Sequence, residues 1–226
     1  MMISLETARD NIRNRDGKRV YFLAAGDQLS WQARDYLRRE GIEVRQPEEN
    51  RAYRLENGAV LREKPEELTH LHGNVLIPKT HPRIRFRGAM DTMEAELLLA
   101  QAGLEGEFAR ITGEILETGR QVIRSEVLEQ PQEGTGLCGL SWEEVRGRSH
   151  QPQKYYGQAH FMPRASDGEA MLRLNRARCA VREAELAAAE AFSDREGNLT
   201  RPDLVKALNR MSSMVWILMI RLKGGG

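Results

Sequence analysis

Asn175-Arg-Ala-Arg-Cys-Ala-Val-Arg-Glu-Ala-Glu185 is the stretch on which the fold turns. Arg178, Arg182 and Glu185 stand four and three residues apart, the spacing that puts side chains on one face of an α-helix. Ala177, Cys179, Ala180, Val181 and Ala184 flank that face with small or apolar groups, so the segment reads as a helix packed among others. An Arg/Glu stripe of this kind ordinarily means an intrahelical salt bridge on a solvated face. The alternative is a groove whose cations need an anion, because an unpaired buried charge is too costly to keep. Either the protein or a ligand must then supply that anion.

Working outward, Ser166-Asp-Gly-Glu169 reads as a capping box that opens this helix, which should run to about Phe192. After a turn over 194–198, Pro202 opens a last helix that carries Ala207-Leu-Asn-Arg-Met-Ser-Ser213 and reaches about Leu222. Upstream, Phe86 to about Ala102 places Met90, Met93, Ala95, Leu97, Leu98 and Ala100 on a broad apolar face, with Gly103 as its stop. A further helix near Glu105 to Leu128 carries Phe108, Ile111, Ile115, Val122 and Val127. A Gly-rich loop over 131–139 leads to Ser141-Trp-Glu-Glu144, a second capping box opening a short helix, and a turn-rich stretch covers 150–163. The expected fold is mainly α: a five-helix bundle over residues 68–223. Residues 1–67 form a small strand–helix–strand appendage and linker. There, 19–24 and 42–44 read as strands, and Ser30 caps a helix that Gly41 stops. Residues 1–16 read as loose or helical, and 47–67 as a linker without a clear period.

The chain has 226 residues, 30% charged and 6% aromatic, with a net charge of +1. That balance gives no electrostatic case for nucleic acid or an anionic membrane. Only Cys138 and Cys179 are present, which speaks against a disulfide framework and fits a reducing cytosol. The first residues lack a signal-peptide h-region, and the run Met214 to Ile220 is too short to span a bilayer. The expectation is a cytoplasmic protein with no membrane partner.

Several residues could carry chemistry. Thr69-His-Leu-His-Gly-Asn-Val-Leu-Ile-Pro-Lys-Thr-His-Pro-Arg83 offers Thr69, Gly73, Asn74, Lys79 and Arg83 ahead of a helix start, a favourable place for phosphate. It is no Walker A loop, and it reads equally as a basic linker. Asp91 either favours a helix dipole or pairs with a bundle arginine. The five histidines, His150 and His160 among them, form no recognisable metal set. Magnesium arriving with a nucleotide is the better expectation, with Glu185 as its contact. Met211, Met214, Trp216 and Met219 read as core rather than a cofactor wall.

Four collinear blocks resemble the ATP:cob(I)alamin (corrinoid) adenosyltransferases, nearest the ethanolamine-utilisation EutT type and more distantly the PduO type. Lys79-Thr-His-Pro-Arg-Ile-Arg-Phe-Arg-Gly-Ala-Met-Asp91 resembles the family's K-x-D-P-R…G-x-x-D segment. Ser149-His-Gln-Pro, continuing through Tyr156-Gly-Gln-Ala-His160, resembles a loop of the EutT type. Arg178-Cys-Ala-Val-Arg-Glu-Ala-Glu185 resembles R-x-x-x-R-x-x-E, and Leu208-Asn-Arg-Met-Ser-Ser213 resembles L-N-R-L-S. Together they cover about residues 66–222.

The resemblance implies transfer of the 5′-deoxyadenosyl group of ATP to the cobalt of reduced cobalamin, forming adenosylcobalamin. The product would serve a B12-dependent ethanolamine or diol pathway, in the cytoplasm or inside a bacterial microcompartment. It also implies a homotrimer, with a dimer left open, holding ATP between subunits. A cobalamin reductase and a B12-dependent enzyme are the implied partners. Arg182, Glu185 and Asn209 would meet ATP or its magnesium, Asp91 and Arg178 would bridge subunits, and Lys79 would lie near the phosphates. Arg210, His150 and His160, within the matching blocks, would border the cofactor. The alternative on the same bundle is a non-catalytic corrinoid-binding or delivery protein. Two departures stand out: the His-x(11)-Cys-Cys-x-x-Cys metal segment of the EutT type is absent, and so is the T-x-x-G-D-x-G phosphate loop of the PduO type. Thr69 to Asn74 is the segment that could replace the latter.

Overall fold

The computed structural model describes residues 2–15, 17–23, 26–45 and 53–225. The end of the strand expected over 19–24, residue 25 and the linker's 47–52 lie outside the described residues. The chain forms two compact units, Met1–Lys64 and Pro65–Gly226.

In the first unit, β1 (Met2–Ile3) leads to α1 (Leu5–Asp10), where the Ser4 hydroxyl accepts from the Thr7 N–H at 3.2 Å. β2 (Arg13–Arg15) and β3 (Lys18–Phe22) run antiparallel. β4 (Gln28–Leu29) pairs parallel with β1. α2 (Trp31–Arg39) is capped by Ser30, and β5 (Glu43–Arg45) joins β3 in parallel. Ile3, Ala8, Tyr21, Leu29, Ala33, Leu37 and Ile42 make a separate small core. β6 (Tyr53–Leu55) and β7 (Val60–Leu61) form a hairpin inside the stretch expected to be a linker. The polar residues at 1–16, likewise, contain two strands as well as a helix. Elements this short carry too few apolar residues to show a period.

The second unit opens with β8 (Leu68–His72) and β9 (Val75–Pro78), an antiparallel hairpin where the sequence suggested a loop. α3 (Pro82–Ala102) and α4 (Gly106–Val127) follow. α3 begins four residues before the expected Phe86, because Pro82 occupies its first turn and the His81 Nδ1 accepts from the Arg83 N–H. The strands β10 (Gly136–Leu137) and β11 (Leu140–Ser141) make a tight hairpin ahead of α5 (Trp142–His150). A Cβ on Gly136 would sit 2.1 Å from the Leu140 carbonyl, so only glycine fits there. The capping box of Ser141 and Glu144 forms as expected. α6 (Pro152–Tyr156) is a short turn, and α7 (Glu169–Ala191) and α8 (Pro202–Gly224) complete the unit.

The capping box expected of Ser166 and Glu169 does not form. Ser166 lies in a 3-10 turn over Ala165–Asp167, and the Asp167 carboxylate turns back to the Arg164 N–H at 2.8 Å. Gly168, at φ 88°, starts α7 without a side-chain cap.

α3, α4, α7 and α8 are the four long helices, and α5 packs on α8 as the short fifth. Their shared core includes Phe86, Met93, Leu97, Ile115, Leu174, Val181, Leu208, Met211 and Leu218. Each large aliphatic side chain removed from water contributes about 1.5–3 kcal/mol, which sets the α7 and α8 faces rigidly against each other. Gly119 lets three helices meet, since a Cβ there would lie 2.6 Å from the Met93 methyl and 3.2 Å from that of Met211. The mainly α bundle is the fold the periodicity predicted.

Candidate functional site

The α7 and α8 faces that carry the singled-out residues border a cleft of about 650 Å³. α7 contributes Asn175, Arg178 and Arg182; α8 contributes Asn209, Ser212, Ser213 and Trp216. Ser149 and His150 at the end of α5 close one side, and the strap His160-Phe-Met-Pro163 closes another. Among the described residues no carboxylate lines the cleft, while two arginines do.

The trio on α7 does not form the intrahelical salt bridge that its spacing allows. Glu185 instead accepts a hydrogen bond from Asn209 Nδ2 at 2.8 Å. Asn209 Oδ1 in turn accepts from Arg210, so Glu185, Asn209 and Arg210 form one chain across α7 and α8. Arg178 lies over the Trp216 ring at 5.1 Å. Burial, and then the like charge of Arg182, holds the Arg178 guanidinium below the ordinary arginine range. Arg182 is exposed in the cleft, and its guanidinium has no hydrogen-bond or ion-pair partner among the described residues.

Aromatic groups build the opposite side. The His160 ring stacks on Trp216 with centroids 5.9 Å apart and planes 6° from parallel. Phe161 stacks on the same indole at 5.1 Å. Met162 projects into solvent at the mouth, 84% exposed. Trp216 packs partly buried against the core that holds Met211, Met214 and Met219, as expected, and its indole is also a wall of the cleft. Its signal lay in the i, i+4, i+7 run Asn209, Ser213, Trp216, which continues one α8 face past the quoted motif. Phe161 and Met162 had no such signal, because they lie outside any helix.

The basic segment at 69–83 sits elsewhere on this unit and lines no part of the cleft. Thr69 is in β8, and Gly73, at φ 51°, and Asn74 form the β8–β9 turn. Lys79 pairs with Glu66 at 2.7 Å. Arg83 donates to the carboxylate of Glu126 at 2.7 Å, and Arg87 reaches the same carboxylate at 2.8 Å. Glu126 is fully buried, so these two arginines neutralise it. Arg87 also donates to the Leu71 carbonyl at 3.0 Å, which ties the hairpin to α3 and α4. Arg83 is therefore committed to the protein's own carboxylate. Asp91 is exposed on α3 and pairs with neither Arg178 nor any other described residue.

Glu185, one turn after the cleft residue Arg182, accepts from Asn209 through one oxygen and leaves its second oxygen unclaimed by Asn209. That fits a divalent ion whose remaining ligands are phosphate and water. No helix is long and apolar enough to cross a membrane among the described residues.

A family model for cobalamin adenosyltransferases matches residues 59–222. Corrinoid adenosyltransferase EutT of Salmonella typhimurium (strain LT2) is 35% identical over 157 residues, and that of Escherichia coli (strain K12) is 36% identical over the same length. The aligned part is 70% of this chain and 59% of each relative, so the chain spans about three fifths of the curated relatives it matches. The matched region holds the whole cleft, and the chain belongs to the cobalamin adenosyltransferase family.

Proposed function

We propose that this chain transfers the 5′-deoxyadenosyl group of ATP to the cobalt of a reduced corrinoid. The observation that carries the reading is the unpaired Arg182 beside a preorganised Arg178 and a tethered Glu185, in a cleft with an aromatic wall. In this reaction cobalt's electron pair forms the bond to C5′ as the C5′–O bond breaks, and that bond's electrons leave with triphosphate. A polyanionic leaving group calls for cations fixed before the reaction, and Arg182 is free to meet it. No proton need move at C5′, so the chain's task is to position the two substrates and to exclude water. The corrinoid supplies the difficult electronics itself.

The roles divide as follows. Arg182 and Asn209 hold the nucleotide, and Glu185 meets its magnesium. Trp216, with His160 and Phe161, offers a flat apolar surface suited to a large ring system. His150 borders the cleft from α5. Asp91 and Arg178 make an intersubunit pair in a homotrimer, which accounts for an exposed carboxylate without a partner in its own chain. The hairpin residues Thr69, Gly73, Asn74 and Lys79 reach the phosphates of a neighbouring copy rather than their own. The product supplies an amino-alcohol- or diol-degrading pathway.

Calorimetry with magnesium–ATP tests the nucleotide half of this reading. Wild-type chain should bind, and Arg182→Ala should weaken binding at least tenfold. Equal affinity in the two proteins would refute the assignment of Arg182.

A further inference from the structure

Next to the cleft, α5 and α8 carry a second group of cations, which do not line the cleft itself. Arg146 precedes Ser149 and His150 by three and four residues, on the α5 stripe that borders the cleft. Arg210 precedes Ser213 by three on the corresponding stripe of α8. The two helices pack together, and Arg146 is close enough for its charge to act on Arg210. Lys206, one turn before Arg210, extends the row and sits 3.8 Å from Glu143.

The two arginines are poorly neutralised. Arg210 makes its hydrogen bond to the neutral amide of Asn209. Its Nε is buried and has no hydrogen-bond partner among the described residues. The guanidinium of Arg146 is exposed and has no ion pair or hydrogen bond among the described residues. Burial, and then the like charge of Arg146, holds Arg210 below the ordinary arginine range, against the weaker pull of Glu143 and Glu185. Proteins seldom bring two guanidinium groups together beside a cleft without an anion to share. An orphaned buried N–H is uncommon in its own right.

We infer that Arg146 and Arg210 form an oligophosphate subsite next to the cleft, which takes the phosphate chain of the nucleotide and holds it as triphosphate after transfer. The inference rests on the adenosyl-transfer reading and adds to it Arg146, a residue outside all four motif blocks. The Glu185–Asn209–Arg210 chain gives the direction: hydrogen bonds join the carboxylate that would hold the nucleotide's ion to the guanidinium that would meet its phosphates. A nucleotide and a corrinoid side chain both carry phosphate oxygens, so the test must separate them.

The experiment titrates the full chain with inorganic tripolyphosphate by calorimetry, comparing wild type, Arg146→Ala and Arg146→Lys. Arg146 is exposed, so its replacement leaves the core intact. Loss of a charge-assisted contact should weaken tripolyphosphate binding about tenfold in Arg146→Ala, with a shallower dependence on salt. Arg146→Lys should recover part of the loss. Equal tripolyphosphate affinity in wild type and Arg146→Ala overturns the subsite, and so does a wild-type chain that ignores tripolyphosphate. A parallel pair of titrations uses corrinoids with and without the nucleotide loop. If Arg146→Ala weakens only the phosphodiester-bearing corrinoid and leaves tripolyphosphate unchanged, the proposal is overturned in favour of a corrinoid contact. Formation of adenosylcobalamin by wild type is scored separately, so failure of the subsite and failure of the adenosyl-transfer reading give different results.

Discussion

At the scale of the residue, the stripe Arg178, Arg182, Glu185 shows how far spacing carries and where it stops. Spacing put three side chains on one face; it could not say what each would touch. Glu185 turned to Asn209 and Arg178 to Trp216, both on another helix, and this left Arg182 unpaired. Trp216 is the residue whose role depended most on tertiary structure, because an indole in an apolar run reads as core until its neighbours are known. It makes a direct prediction. Corrinoid bound against the indole should quench tryptophan emission, and Trp216→Phe should remove most of that change while Trp31→Phe should not. Trp31, 75% exposed, lies in the first unit and serves as the control. A quench that survives in Trp216→Phe would remove the indole from the corrinoid surface. Cys138 offers a second test. Burial, and then the nearby Glu114, pushes its thiol up to about 12 from the ordinary 9.0, so it stays neutral and unreactive at pH 8. In a Cys179→Ser background a thiol reagent should label Cys138 only slowly until denaturant is added. Rapid labelling of the native protein would contradict the burial argument.

At the scale of the element, the long helices were legible because each repeats its apolar positions over five or six turns. Ser141 with Glu144 and Pro202 announced two helix starts by local chemistry alone. The short hairpins were not legible, and neither was the knot that anchors one of them. Glu126 lies 43 residues from Arg83 and 39 from Arg87, and no local pattern reports a pair so distant. Glu126→Gln removes the buried counter-charge that two arginines, 16% and 20% exposed, share, leaving only Glu129, at 3.3 Å, as a carboxylate for Arg83 and only backbone carbonyls for Arg87. It should destabilise the bundle by about 3–5 kcal/mol in denaturant unfolding; a change below about 1 kcal/mol would show that the knot is dispensable. The start of α8 depends on a second anchor. Asp203 accepts from the Gln132 N–H at 2.8 Å and from Arg201 at 2.8 Å. Burial alone would raise the Asp203 carboxyl, but Arg201 and the Gln132 N–H outweigh it and hold it below the usual range. A depressed carboxyl contributes stability above its unfolded value of about 3.9 and loses it as pH falls through the lower folded value. Stability measured from pH 5 downward should therefore fall less steeply in Asp203→Asn than in wild type. Parallel curves would exclude the linkage.

At the scale of the whole molecule, the two units have separate cores, and the cleft belongs entirely to the second. That unit is also where the family match lies, apart from its first few residues. Asp91, exposed and unpaired on α3, joins the account only through assembly, since its proposed partner is Arg178 of another copy. Of the two arginines in the cleft, Arg182 is the one left without a partner among the described residues, while Arg178 lies over Trp216 and Asn209 holds the neighbouring Glu185. The most direct measurement follows adenosylcobalamin formation from ATP and chemically reduced cobalamin, by its absorption spectrum, in wild type and Arg182→Ala. Wild type should form product, at a rate about 10²–10³-fold above that of the variant, the loss expected when one charge partner of the leaving group is removed. Wild-type chain that binds cobalamin without forming product, or an Arg182→Ala chain that turns over at the wild-type rate, would contradict the proposed function.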